Sequence, residues 1–97
     1  MIENNISMFK ITGDSGFRMK FANGFTASVQ FGPYCNCGKH TADVACISNK
    51  RNHLIYLSDF NKDLEDTVIG YLTTNEVLDF MNWVASLPPD YVASESY

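Results

Sequence analysis

Nowhere in this sequence is there a run of the roughly 18 consecutive apolar residues that a membrane-crossing helix needs. Cysteine is scarce and odd in number, at positions 35, 37 and 46. Met1–Asn5 has neither the basic start nor the apolar stretch of an export signal, so the thiols are expected to stay reduced in a cytoplasm. Cations are few as well: Lys and Arg total 7 against 11 Asp and Glu, a net charge of −4. A balance of that sign argues against direct DNA binding by the chain as a whole. No carboxylate pair stands at a recognisable catalytic spacing, and no nucleophile has a marked base and orienting partner. The expectation is a non-enzymatic protein that needs no cofactor.

What is present is the material of a core. Hydrophobic residues make up 45% of the 97, aromatics 13%, with seven Phe and five Tyr, which fits one globular domain and not a disordered chain. The charge is unevenly spread. Residues 1–53 hold six Lys or Arg against three acids, while residues 54–97 hold Lys62 against eight acids. The first part therefore invites a search for a basic patch, and the second for an acidic one.

Two segments alternate at the strand period. In Phe17-Arg18-Met19-Lys20-Phe21 and in Phe25-Thr26-Ala27-Ser28-Val29-Gln30-Phe31, every second residue is apolar. A two-residue Asn23-Gly24 turn between them would set Phe21 beside Thr26 and split the apolar rows onto opposite faces. A three-residue loop ending in a left-handed Gly24 pairs Phe21 with Phe25, Met19 with Ala27 and Phe17 with Val29, so the bulged loop is expected. By the same logic Asp14-Ser15-Gly16 is read as a three-residue loop pairing Ile11 with Met19 and Phe9 with Phe21. The resulting meander has an inner face of Phe9, Ile11, Phe17, Met19, Phe21, Phe25, Ala27, Val29 and Phe31.

Gly32-Pro33 stops the third strand, because proline has no N–H for the ladder. A second hairpin is expected between Asp43–Ser48 and His53–Leu57, with apolar residues on both faces, as suits central strands or a surface covered by a partner. A short strand over Thr67–Leu72 then leads into the best-signalled element. Thr73-Thr74-Asn75-Glu76 is a capping box, with Leu72 and Val77 placed as a hydrophobic staple. Val77, Phe80, Met81, Val84 and Leu87 form one helical stripe, with Asn75, Asp79, Asn82 and Ser86 opposite. Pro88-Pro89 ends the helix, and residues 1–5 and 90–97 are expected to fray. The fold class is thus α+β: an antiparallel sheet of five to six strands closed by one C-terminal amphipathic helix.

The outer face of the meander collects Lys10, Arg18 and Lys20 beside Thr26, Ser28 and Gln30. Three cations next to hydroxyls and an amide suit a phosphate or carboxylate, since charge-assisted bonds then converge from several directions. An ordinary solvated strand face has the same composition, and that plainer reading carries more weight. The loop Tyr34-Cys35-Asn36-Cys37-Gly38-Lys39-His40 adds hydrogen-bonding and stacking groups, with Tyr34, Asn36, Lys39 and His40 as candidate ligand contacts. A zinc site from Cys35, Cys37, His40, Cys46 and His53 is disfavoured, because one residue between the first two cysteines is too few for a metal knuckle. Asp59-Phe60-Asn61-Lys62-Asp63 starts like a calcium loop, but Leu64 and Gly70 stand where glycine and a bidentate glutamate are needed. The acids Asp59, Asp63, Glu65 and Asp66 are then a solvated loop or a contact for a basic partner.

The run Phe21-Ala22-Asn23-Gly24-Phe25-Thr26-Ala27-Ser28-Val29-Gln30-Phe31-Gly32-Pro33 resembles small, mostly uncharacterised proteins of tailed bacteriophages and prophages. Asp66-Thr67-Val68-Ile69-Gly70-Tyr71-Leu72 and the capped helix after it are also similar. The chain departs from that pattern at Tyr34-Cys35-Asn36-Cys37. The resemblance implies a cytoplasmic protein of the infected bacterial cell that counters host defence by binding. Two versions follow from it. One sequesters a nucleotide-type immune signal, such as a cyclic nucleotide or an ADP-ribose derivative. The other is a stoichiometric inhibitor of a defence nuclease such as a CRISPR effector, with its acidic part over a basic groove. A homodimer is compatible with either.

Overall fold

The computed structural model describes residues 8–11, 15–31, 40–63 and 65–93. Among them lie six strands and one helix: β1 (Met8–Ile11), β2 (Gly16–Lys20), β3 (Phe25–Gln30), β4 (Ala42–Ser48), β5 (His53–Leu54), β6 (Val68–Leu72) and α1 (Thr74–Ser86). The sheet is antiparallel throughout, ordered β1-β2-β3-β4-β5, with β6 also paired to β4. β5 pairs with Ile47 and Ser48, and β6 with Ala42, Val44 and Ala45, so the two share one side of β4. This is the expected α+β architecture.

The β2–β3 hairpin has the bulged loop. Phe17 pairs with Val29 and Met19 with Ala27; the Phe21 N–H donates to the Phe25 carbonyl at 2.9 Å, and Gly24 stands at φ 92°. Keeping the aromatic rows on one face decides the loop length, and only a residue without Cβ takes that backbone conformation cheaply.

The β1–β2 register is two residues from the expected one. Ile11 pairs with Phe17, and Phe9 with Met19. The cause is Gly16, which is a strand residue and not the left-handed end of a turn. It pairs with Gln30, and a Cβ on it would come within 2.3 Å of the Val29 carbonyl oxygen. A shift of two preserves the faces, so Phe9 stays on the inner side, yet it is 73% exposed. The reason is reach: α1 contacts β3, β4 and β6, and not β1 or β2.

The expected second hairpin forms, with Ser48 opposite His53 across a four-residue turn in which Asn52 takes φ 57°. Its second strand is shorter than His53–Leu57. After the Ile55 N–H bonds the Cys46 carbonyl, the chain leaves the sheet, and the Leu57 N–H to Asp66 carbonyl bond (2.9 Å) closes the neck of an excursion. The chain returns as β6, which carries a bulge opposite Ala42 and Val44 and holds Tyr71 at φ 62°.

α1 is capped as expected: Thr73 Oγ1 accepts from the Glu76 N–H, and Glu76 Oε1 accepts from the Thr73 N–H at 2.9 Å. That bond to the Thr73 backbone holds the Glu76 carboxyl below its ordinary pKa. Phe80, Val84 and Leu87 are buried, while Asn75, Asp79, Asn82 and Ser86 face out. The stripe packs on Phe25, Ala27, Val29, Val44, Cys46, Ile55 and Leu57 to make the core.

Two features of the packing lie beyond the local pattern. Tyr91, beyond the helix, is docked: it stacks edge-on against Phe25 (5.9 Å) and Trp83 (6.1 Å), and its hydroxyl donates to Asp59 Oδ2 at 2.6 Å. The turn residue Asn23 caps the far end of the helix. Its Nδ2 donates to the carbonyls of Val84 (2.8 Å), Leu87 (2.9 Å) and Ala85 (3.3 Å).

Candidate anion-binding face

α1 lies on one side of the sheet, and among the described residues no helix or strand lies over the other side, called the open side below. The open side is read directly from the register. Lys10 pairs with Arg18, Arg18 with Ser28, and Ser28 with Ala45. In the next row Lys20 pairs with Thr26 and Thr26 with Ile47. Gly16, Gln30 and Asp43 make a third row, so an acid stands at one end of the patch.

The cations sit highest. Arg18 is exposed and Lys20 half-buried, and neither forms an ion pair among the described residues. The polar floor between them and β4 is already bonded. Thr26 Oγ1 donates to Asn49 Oδ1 at 2.8 Å, and Gln30 Nε2 donates to Ser28 Oγ at 3.2 Å. Thr26 and Ser28 are only 6% and 7% exposed. A ligand on this face therefore meets guanidinium and ammonium first, and reaches the Ser28 hydroxyl only at their base. Asn49 Nδ2, next to Thr26, is buried without a hydrogen-bond partner among the described residues. It is a spare donor beside Thr26, and buried donors are normally satisfied. Nothing in the sequence singled out Asn49, which reaches Thr26 only through the β3–β4 pairing.

The structure thus brings Arg18, Lys20, Ser28 and Gln30 together and places the Lys10 backbone alongside. His40 is exposed at the approach to β4. The candidate loop residues Tyr34, Asn36 and Lys39, with Cys35 and Cys37, lie outside the described residues. Cys46 is wholly buried in the core, where loss of hydration pushes its thiol up to about 12, so it stays protonated and inert. No group of three or more His, Cys, Asp or Glu is placed to hold a metal among the described residues.

The acids Asp59, Asp63, Glu65 and Asp66 are all exposed on the excursion between β5 and β6. Asp59 is tied to Tyr91, Asp66 Oδ1 accepts from the Thr67 N–H at 2.7 Å, and the Asp63 N–H donates to Asn61 Oδ1 at 3.1 Å. Beside this loop runs a groove of about 480 Å³ lined by Phe60, Asn61, Lys62, Ile69, Leu72, Glu76 and Asp79. Only the spacing of Glu76 and Asp79, three apart on the helix, could have hinted at it.

In comparisons with known proteins, no family model matches this chain, and no curated protein or solved structure matches it. Among the described residues no helix is long and apolar enough to cross a membrane.

Proposed function

We propose that this chain is a non-enzymatic binding protein that takes a phosphate-bearing, nucleotide-type ligand on the open face of its sheet. The observation that carries this reading is the pair Arg18 and Lys20. They rise from one strand without carboxylate partners among the described residues, next to a polar floor and a spare amide donor. A guanidinium offers forked donors and an ammonium a mobile charge, a combination suited to phosphate oxygens approached from two sides. The counter-defence role, sequestering a cyclic nucleotide or ADP-ribose derivative, comes from the resemblance of residues 21–33 to small phage proteins.

The test is a thermal-shift panel of cyclic nucleotides and ADP-ribose. Saturating ligand should raise the melting temperature by several degrees, since it binds only the native state. Arg18→Ala with Lys20→Ala should abolish the shift. A shift that survives both changes removes the open face as the site.

The exposed acids of the excursion favour a second reading, a stoichiometric inhibitor laid over a basic nuclease groove. Asp63, Glu65 and Asp66 sit on a loop whose neck is bonded shut, so the charges are presented from a defined base. Reversing these three to Lys should weaken capture of a CRISPR effector nuclease, most strongly at low salt. Unchanged capture at low salt excludes this reading.

A further inference from the structure

Asn23 does two jobs in this fold. It occupies the three-residue loop between β2 and β3, and its amide closes the C-terminal end of α1 from more than sixty residues away in sequence. The helix has no basic residue in its last turn, so at the negative end of its dipole this neutral donor serves the carbonyls of Val84, Ala85 and Leu87, with the Leu87 N–H also on Val84. Asn23 also precedes Gly24 in the chain's only Asn-Gly pair. A glycine there removes the Cβ that would hinder its nitrogen from reaching the preceding side chain.

We propose that Asn23 is a deamidation site guarded by the fold, and that its modification prevents the chain from regaining native stability. In the reaction, the Gly24 nitrogen loses its proton and attacks Asn23 Cγ. The N–Cγ bond forms, the Cγ–Nδ2 bond breaks, and ammonia leaves with the proton. Water then opens the cyclic imide at one of its two carbonyls to give aspartate or isoaspartate.

Both reacting groups are engaged in the native state. The Gly24 N–H is bonded to the Phe21 carbonyl at 3.1 Å, Asn23 Nδ2 is held by the helix carbonyls, and Asn23 Oδ1 accepts from the Phe25 N–H at 3.1 Å. Ring closure must break these bonds, so it requires opening of the loop away from α1.

Either product is worse than the amide it replaces. Aspartate has no donor and would set a negative charge against the helix carbonyls. Isoaspartate routes the backbone through one more carbon, which spoils the loop that keeps Phe21 opposite Phe25. Opening thus exposes the site, and reaction at the site favours opening.

The full chain is incubated at mildly alkaline pH in native buffer and in urea beyond its unfolding midpoint. The amide-to-acid mass gain is followed on the tryptic peptide 21–39, with fragment sequencing to locate it. Conversion at Asn23 should be at least about a hundredfold slower in the folded chain. Equal rates in the two conditions, or no conversion in urea, overturn the proposal. A second measurement compares Asn23→Ala and Asn23→Asp: the melting temperature should fall in the first and further in the second. An unfolded Asn23→Asp beside a folded Asn23→Ala supports the same conclusion, whereas Asn23→Asp melting with the wild type overturns it.

Discussion

β3 and β4 present two faces whose central residues are both buried, for different reasons. On the helix side, Phe25, Ala27, Val29, Val44 and Cys46 are covered by Phe80 and Val84, which are themselves fully buried. On the open side, Thr26, Ser28 and Ala45 are also no more than 9% exposed, with no helix above them among the described residues. They are small residues set among longer ones: Thr26 lies between Lys20 and Ile47, and Ser28 beside Arg18. Burial of the first kind removes apolar area from water and drives folding. Burial of the second kind shades groups whose polar atoms bond each other locally and adds little to that drive. Low exposure alone does not separate a core from the floor of a binding face; what covers the residue does.

The sharpest way to test that contrast is to remove the cover. Phe80 is wholly buried and meets Phe60 at 5.3 Å and Trp83 at 5.9 Å, so its ring is held from the helix, the excursion and the sheet together. Phe80→Ala should cost about 3–5 kcal/mol in urea unfolding, from lost transfer energy and the cavity left behind. A loss below about 1 kcal/mol would mean that the helix side is not where stability resides.

A smaller effect tests how the excursion is fastened to the covered side. Tyr91 donates to Asp59 Oδ2 at 2.6 Å, and its partial burial, followed by that bond, raises its pKa above the ordinary tyrosine value. Tyr91→Phe should lose about 1 kcal/mol at neutral pH. The folded phenol keeps its proton where the unfolded one loses it. The contribution is therefore complete below about pH 10 and shrinks as pH rises beyond that. Urea unfolding of both proteins from pH 7 upward should show their stabilities converging. A gap that stays constant would mean that this hydroxyl is not the titrating group.

The parts legible in the sequence are those that few consecutive residues encode. Parity between Phe21 and Phe25 forced the bulged loop and so placed Arg18, Lys20, Ser28 and Gln30 on one face. Thr73 and Glu76 announced the helix start. The parts that were not legible are contacts across the fold. Gly16 looked like a turn glycine because its close approach to the Val29 carbonyl belongs to the β2–β3 pairing. Asn23 looked like a turn residue because its partners are in α1. Tyr91 looked like tail because Phe25, Trp83 and Asp59, which dock it, come from three separate segments. Phe9 was assigned correctly to the inner face, but strand alternation does not say how far one helix reaches across a sheet.

The smallest expected effect is the one that separates binding from folding on the open side. Arg18 and Lys20 make no ion pair among the described residues, and Arg18 is exposed. Truncating both to Ala should leave urea-unfolding stability within about 0.5 kcal/mol of the wild type, as for surface changes away from packed or bonded groups. They pair with Ser28 and Thr26 on β3, so any packing lost with their aliphatic stems would register as destabilisation. A loss above about 1 kcal/mol would therefore make the two side chains part of what shades the sheet. An unchanged midpoint together with a lost nucleotide shift would instead assign their charge to ligand capture, the outcome expected if the open face is held for binding.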